Sequence, residues 1–169
     1  MLKIIGKLII ALNGNVKRSQ IAAGFAWGIL LGLIPAGNFF WIVLFICSFF
    51  FKHHHWSKIF SMAIIKLISP LIVLWVDFLG WEVLHIEALQ PLFTTLYNMP
   101  FIPFTKFNNT LVMGGLIGGI VLWLPSFIIF MVLISLYRNN LAPKIRNSKL
   151  VKAIAKSPLL KVVDMFMPK

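Results

Sequence analysis

The sequence has little acid: 4 Asp and Glu stand against 16 Lys and Arg. Charged residues of either sign make up only 12% of it, against about 25% in an average soluble protein. Polar surface that scarce does not cover a water-exposed globule, so an ordinary soluble domain is excluded. Cysteine is nearly absent. Cys47 stands alone in an apolar run, which excludes an internal disulfide and leaves the redox compartment open. The few carboxylates are scattered, and there is no nucleophile motif and no phosphate loop. A catalytic constellation, a cofactor and enzyme chemistry are therefore not expected. The net charge of +12 lacks a basic-aromatic nucleic-acid motif around it. Its clustering at the two ends and in one short loop suits phospholipid headgroups, not nucleic acid.

What the chain does have is apolar length. Hydrophobic residues are 60% of it and the mean hydropathy is +0.93, which points to an all-α integral membrane protein. Residues 1–137 read as one polytopic membrane domain and 138–169 as a basic amphipathic tail. The start, MLKIIGKLIIALNGNVKRSQ, has no small-residue cleavage site after it and reads as retained. Leu2, Ile4, Ile5, Leu8, Ile9 and Leu12 recur at helical spacing among Lys3 and Lys7, as in a helix lying on a membrane surface. Ser19 is the expected N-cap of the helix that follows.

The run from Ile21 to Phe51 carries no charge. As one helix it would measure about 46 Å, too long for a hydrocarbon core of about 30 Å. At its midpoint stand Pro35, Gly37 and Asn38. Proline removes a donor, glycine permits a sharp turn, and Asn38 can cap a second arm. The expected form is a hairpin over 21–51 that enters and leaves on one side, re-entrant or short, with arms of about 14 residues. Whether it fully crosses the bilayer is open. Gly24, Gly28 and Gly32 make a stripe for close helix contact on the first arm. A polar loop, 52–58, is expected next. A transmembrane span over 59–84, kinked near Pro70, leads into a polar-aromatic outer connector, 85–109, with a short interfacial helix over 89–97. A second span covers 110–136, where Gly114, Gly115, Gly118 and Gly119 form two offset packing pairs. In the tail, Lys149, Lys152 and Lys156 oppose an apolar face and are candidates for contact with anionic lipid.

The hairpin has a consequence for charge. If the chain folds back, the amino-terminal stretch, the 52–58 loop and the tail share one side, and fourteen of the sixteen basic residues lie there. A single crossing would put one strongly basic end outside, against the positive-inside rule. Both termini are therefore expected in the cytoplasm.

Among the polar residues inside the apolar segments, Asn38, Lys66 and Asp77 are the candidates for a function. Lys66 and Asp77 share a helix face but lie about 16 Å apart along the axis, too far to pair. They either line a polar path or contact lipid headgroups or a partner, or else snorkel to the two interfaces; snorkelling is the simpler reading. Asn38 either helps a helix N-terminus hold an anion or merely caps a turn, and the cap is favoured. His53, His54 and His55 are adjacent, so their rings diverge on a loop, and a metal site is not expected.

Several strings together carry a resemblance. They are Asn13 followed by Gln20-Ile21-Ala22-x-Gly24-Phe25-Ala26-x-Gly28, then Gly32-Leu33-x-Pro35, Leu96-Tyr97-Asn98-x-Pro100, and Phe107-Asn108-Asn109-Thr110-Leu111-Val112-x-Gly114. Over about residues 1–137 the chain resembles a family of small, uncharacterised bacterial inner-membrane proteins related to a broader membrane domain of unknown function. The basic tail falls outside the resemblance, and the three histidines replace a polar turn. The resemblance implies a Gram-negative inner membrane and an accessory role beside envelope machinery, with a long periplasmic lipid-transfer protein as companion. It brings no catalytic residue. The expected function is a non-enzymatic scaffold for a larger envelope protein, engaged in lipid transport between membranes. Its contacts would run through the glycine faces and the outer connector, where Tyr97, Asn98, Asn108 and Asn109 are partner-contact candidates. The alternative is a small transporter or channel for lipid or solute, formed by a homo-oligomer.

Overall fold

The computed structural model describes Leu12 and residues 16–142. The amphipathic segment expected over 2–12, Leu12 apart, and the tail positions Lys149, Lys152 and Lys156 lie outside the described residues. Among the described residues the α-helices that shape the fold are α1 (Arg18–Leu33), α2 (Phe39–Cys47), α3 (His55–Leu84), α4 (Gln90–Tyr97) and α5 (Thr110–Leu136). Among the described residues there is no strand. Both α3 and α5 are long and apolar enough to cross a membrane.

The glycine stripe sets how α1 and α3 meet. Gly24 lies against Ser57, Gly28 against Ser61 and Gly32 against Ile65. Both numbers rise together, so the two helices run parallel. A Cβ at Gly24 would come within 2.5 Å of the His54 carbonyl oxygen, which fixes how near the backbones pass. Helix α5 runs the other way along α1. Gly115 sits beside Leu33, Gly119 beside Leu30, and the Phe130 ring stacks on Phe25 with centroids 4.1 Å apart. Ile21, Ala22, Phe25 and Ile134 form one buried cluster, and Leu30, Leu31, Ile34 and Val112 form another.

Past the elbow after α1, helix α3 continues alone with α5. There Gly80 and Gly114 face each other. A side chain on either would collide with backbone, that of Thr110 for Gly80 and that of Val76 for Gly114. Gly118, expected to pack as closely as its neighbours, does not: a Cβ there would stand 3.7 Å from Leu79, an ordinary contact. It faces the end of an α3 side chain rather than α3 backbone. The outward faces are apolar; Leu67 and Leu71 are each 80% exposed and Trp75 73%.

Two boundaries depart from expectation. Helix α1 begins at Arg18, with Lys17 at the cap position and no side-chain cap bond, so Ser19 is inside the helix and caps nothing. Helix α3 begins at His55, so the 52–58 segment is mostly first helical turn rather than loop. His54 is its cap and accepts the Ser57 N–H on its ring. Helix α3 passes through Pro70 without a break. The proline deprives the Lys66 carbonyl of its donor four residues on, and the Ser69 hydroxyl supplies one at 3.0 Å.

Candidate functional site

The elbow between α1 and α2 is built from carbonyl groups that a helix end leaves bare. Gly37 takes φ +91 and Asn38 caps α2 through the Trp41 N–H at 2.7 Å. Three side chains then take up the carbonyls at the end of α1. Trp41 Nε1 donates to Leu31 at 2.9 Å, Lys66 Nζ donates to Ile34, and Asn38 Nδ2 donates to Pro35 at 2.7 Å. Asn38 is thus buried with both ends of its amide used locally. Lys66 points into the elbow. Its ammonium turns inward because the Ile34 carbonyl, fully buried, has no helical donor. A cavity of about 290 Å³ opens at this elbow, lined by Gly32, Pro35, Lys66, Ser69 and Pro70.

Asp77 is elsewhere. Its carboxylate accepts the hydroxyl of Thr110, the first residue of α5, beside the Gly80–Gly114 contact. The structure therefore brings Asn38 and Lys66 to one elbow and leaves Asp77 on the seam between α3 and α5.

At the opposite end of the hairpin stands a residue that the sequence reading placed in a loop. Lys58 is 0% exposed. Its ammonium donates to Ser48 Oγ at 2.7 Å and lies 4.0 Å from the Phe49 ring centroid and 4.7 Å from that of Phe45. Ser48 Oγ in turn donates to the Phe45 carbonyl at 2.6 Å. Aromatic faces and a hydroxyl stand in for a counter-ion. The only hint in the sequence was Ser48, a lone hydroxyl in an aromatic run.

His53 is buried beside it. Its Nδ1 lies 2.9 Å from the Phe51 carbonyl, which can only accept, so Nδ1 carries the proton. Nε2 is buried with no hydrogen-bond partner. Desolvation, then the positive charge of Lys58, pushes the His53 imidazole down to about 4. His54 is pushed down as well, chiefly by burial. Among the described residues no three His, Cys, Asp or Glu side chains converge to hold a metal.

The third site lies at the far end of the bundle, where α3 ends and α5 begins. Helix α4 and its flanking turns enclose a groove of about 410 Å³, lined among others by His85, Gln90, Phe93, Tyr97, Asn98 and Asn108. Proline in its first turn and two threonines bonding back to carbonyls hold α4. Asn98 Nδ2 donates to the Thr94 carbonyl at 2.9 Å. Asn109 is committed to the fold, since its Oδ1 accepts the Leu111 and Val112 N–H groups and caps α5. Tyr97, Phe101 and Phe104 are exposed, Phe101 by 72%. Phe101 and Lys106 both hold left-handed backbone, φ 70 and φ 53. A bulky residue in that region costs on the order of 1–3 kcal/mol and persists where the surroundings impose it.

No protein-family model matches the chain. No solved structure matches it either. It is similar to a protein of Treponema pallidum (strain Nichols) described as "Uncharacterized protein", with 28% identity over 161 residues. That similarity takes in 95% of this chain and 99% of the other, so it runs past residue 137 and into the basic tail.

Proposed function

We propose that the protein is a non-enzymatic scaffold of the bacterial inner membrane that anchors a larger envelope protein handling lipids. In this reading α3 and α5, about 45 and 40 Å long, cross the bilayer. The hairpin of α1 and α2 enters to the level of Lys66, about 17 Å along α3, and returns. Both termini then lie with the basic residues on the cytoplasmic side. The connector groove lies on the outer side and receives the partner.

The observation that carries this reading is the connector itself. It holds two left-handed non-glycine residues, Phe101 and Lys106, exposed Phe101 and Phe104 rings, and a groove lined by Tyr97 and by the side-chain amides of Gln90, Asn98 and Asn108. Outliers of this kind cluster where a surface is pre-shaped for a ligand. Rings with a polar rim are also the composition of protein-docking hot spots. A photo-crosslinking residue at Tyr97 tests it. The expected product is one discrete adduct with a larger envelope protein, lost on Asn108→Ala. Repeated recovery of the chain alone in mild detergent counts against the scaffold.

The elbow cavity favours a second reading, a small oligomeric transporter or channel for lipid or solute with Lys66 on its path. Flux through liposomes that drops on Lys66→Ala or Asp77→Asn supports this one; absence of flux supports the scaffold.

A further inference from the structure

Three donors take the carbonyls left bare at the elbow, and one of the three is charged. Trp41 Nε1 serves Leu31 and Asn38 Nδ2 serves Pro35, both of them neutral groups. Neutral donors are thus enough for this kind of carbonyl, yet it is Lys66 that serves Ile34. An ammonium has three N–H donors, and the Ile34 carbonyl takes one. Among the described residues no second acceptor and no carboxylate pairs with it. The described carboxylates are Asp77, Glu82 and Glu87. Asp77, the first of them along α3, lies about 16 Å further on and accepts from Thr110.

The cavity beside Lys66 has two unlike ends. Lys66 and Ser69 line the end at the elbow, with Pro35. The Ser69 hydroxyl has committed its proton to the Lys66 carbonyl, so the ammonium is the donor this end offers. Val73, Val76 and Leu111 line the other end, which is apolar. Val76 stands about 15 Å beyond Lys66 along the helix. Pro70 and Val73 are exposed, so the cavity opens sideways through the apolar surface of α3. Its volume of about 290 Å³ is at the lower edge of small-molecule sites, which run from about 300 to 1,000 Å³. That admits a small head and one chain, and excludes a two-chain phospholipid.

A neutral carbonyl does not cancel the charge of an ammonium held away from water, whereas an anion does. A lone ammonium is a compact point charge without the planar fork that grips phosphate, which favours a singly charged carboxylate. An apolar cleft that opens sideways selects an amphiphile over a water-soluble solute. We propose that the elbow cavity binds the carboxylate of a single-chain fatty acid, its head on Lys66 Nζ and its chain along Val73, Val76 and Leu111. The ammonium then holds the Ile34 carbonyl and the carboxylate at once. The proposal goes beyond both functional readings: it rests on α3 and α5 lying in lipid and needs neither an outer partner nor flux.

The test uses the full chain in a mild non-ionic detergent, with dodecanoate, dodecanol and acetate as probes, read by native mass spectrometry. Dodecanoate should bind about tenfold more tightly than dodecanol, the worth of one hydrogen bond to a charged group. Lys66→Gln offers an N–H to the Ile34 carbonyl but no charge, so it should abolish that preference and leave dodecanol binding unchanged. Val73→Trp fills the chain end and leaves Lys66 in place, and should weaken both probes about fivefold. Leu67→Trp, on the outward face, should change neither. Val73 and Leu67 are exposed, so these two variants decide the matter even if Lys66→Gln does not fold. Equal binding of dodecanoate and dodecanol, retention of the preference in Lys66→Gln, or no difference between Val73→Trp and Leu67→Trp overturns the site. Displacement of dodecanoate by millimolar acetate overturns the fatty chain as the source of the carboxylate. Failure of the Tyr97 adduct, or absence of flux, leaves these outcomes unaffected.

Discussion

The backbone N–H of His54 donates to the carbonyl oxygen of Gln20 at 2.8 Å. Between those residues the chain goes out along α1, turns at Pro35–Gly37, and comes back through α2. The bond closes the mouth of that excursion and places the start of α1 beside the start of α3. The parallel register of Gly24, Gly28 and Gly32 on α3 then follows. Elbow and mouth each contain an inward-turned lysine, and the two lysines differ in what they hold.

Lys66 holds a carbonyl that has no other donor. Lys66→Met leaves the buried Ile34 carbonyl unsatisfied and should destabilise the protein by about 1–3 kcal/mol. Thermal unfolding in detergent, wild type against variant, checks it.

Lys58 holds nothing that would be orphaned by its removal, because Ser48 Oγ keeps its bond to the Phe45 carbonyl. Lys58→Met replaces a buried charge with an apolar side chain of similar length and should be within about 1 kcal/mol of neutral, or stabilising. Ser48→Ala removes the ammonium's hydrogen-bond acceptor and should cost about 1.5–3 kcal/mol. The same unfolding measurement should therefore rank Ser48→Ala below Lys58→Met.

His53 couples stability to pH. Its folded pKa, about 4, lies below its ordinary value of 6.5. The unfolded chain thus binds the extra proton between those values, and stability must fall as pH drops from about 6.5 toward 4. The slope from this residue is at most about 1.4 kcal/mol per pH unit. His54 adds to it with the same sign. Unfolding temperatures measured from pH 7 to 5 should fall, and His53→Phe should flatten the decline.

The α3–α5 seam turns on two glycines that face backbone. Gly114→Ala should cost about 1–3 kcal/mol through overpacking, whereas Gly118→Ala should be neutral or gain up to about 1 kcal/mol from helix propensity. The contrast within one helix, read by thermal unfolding, separates packing from propensity.

Much of this architecture was legible because its signals are local. Proline, glycine and asparagine in one short stretch mark an elbow. The third apolar run ends where its polar neighbours begin, and α5 has those bounds, Thr110–Leu136. Other features were not legible, because tertiary contacts made them. Lys58 sits in a string of histidines and lysines that reads as solvated; Ser48, Phe45 and Phe49 bury it only once the hairpin has folded back. Gly80 has no glycine four residues away, so nothing in its own helix announces that Gly114 faces it. Lys66 bonds a carbonyl freed by a turn thirty-two residues earlier. Lys17 and Arg18 are far in sequence from Arg138 and meet it at one cavity only because α5 runs antiparallel to α1.

The fold-back of the hairpin in the membrane is tested most directly by sided labelling. In a Cys47→Ser background, Lys17→Cys, Lys52→Cys and Glu87→Cys are exposed one at a time to a membrane-impermeant maleimide, in right-side-out and in inside-out vesicles. Positions 17 and 52 should label from the cytoplasmic face and position 87 from the other. Labelling of positions 17 and 52 from opposite faces would mean that the segment between them crosses the bilayer once, and would contradict the account.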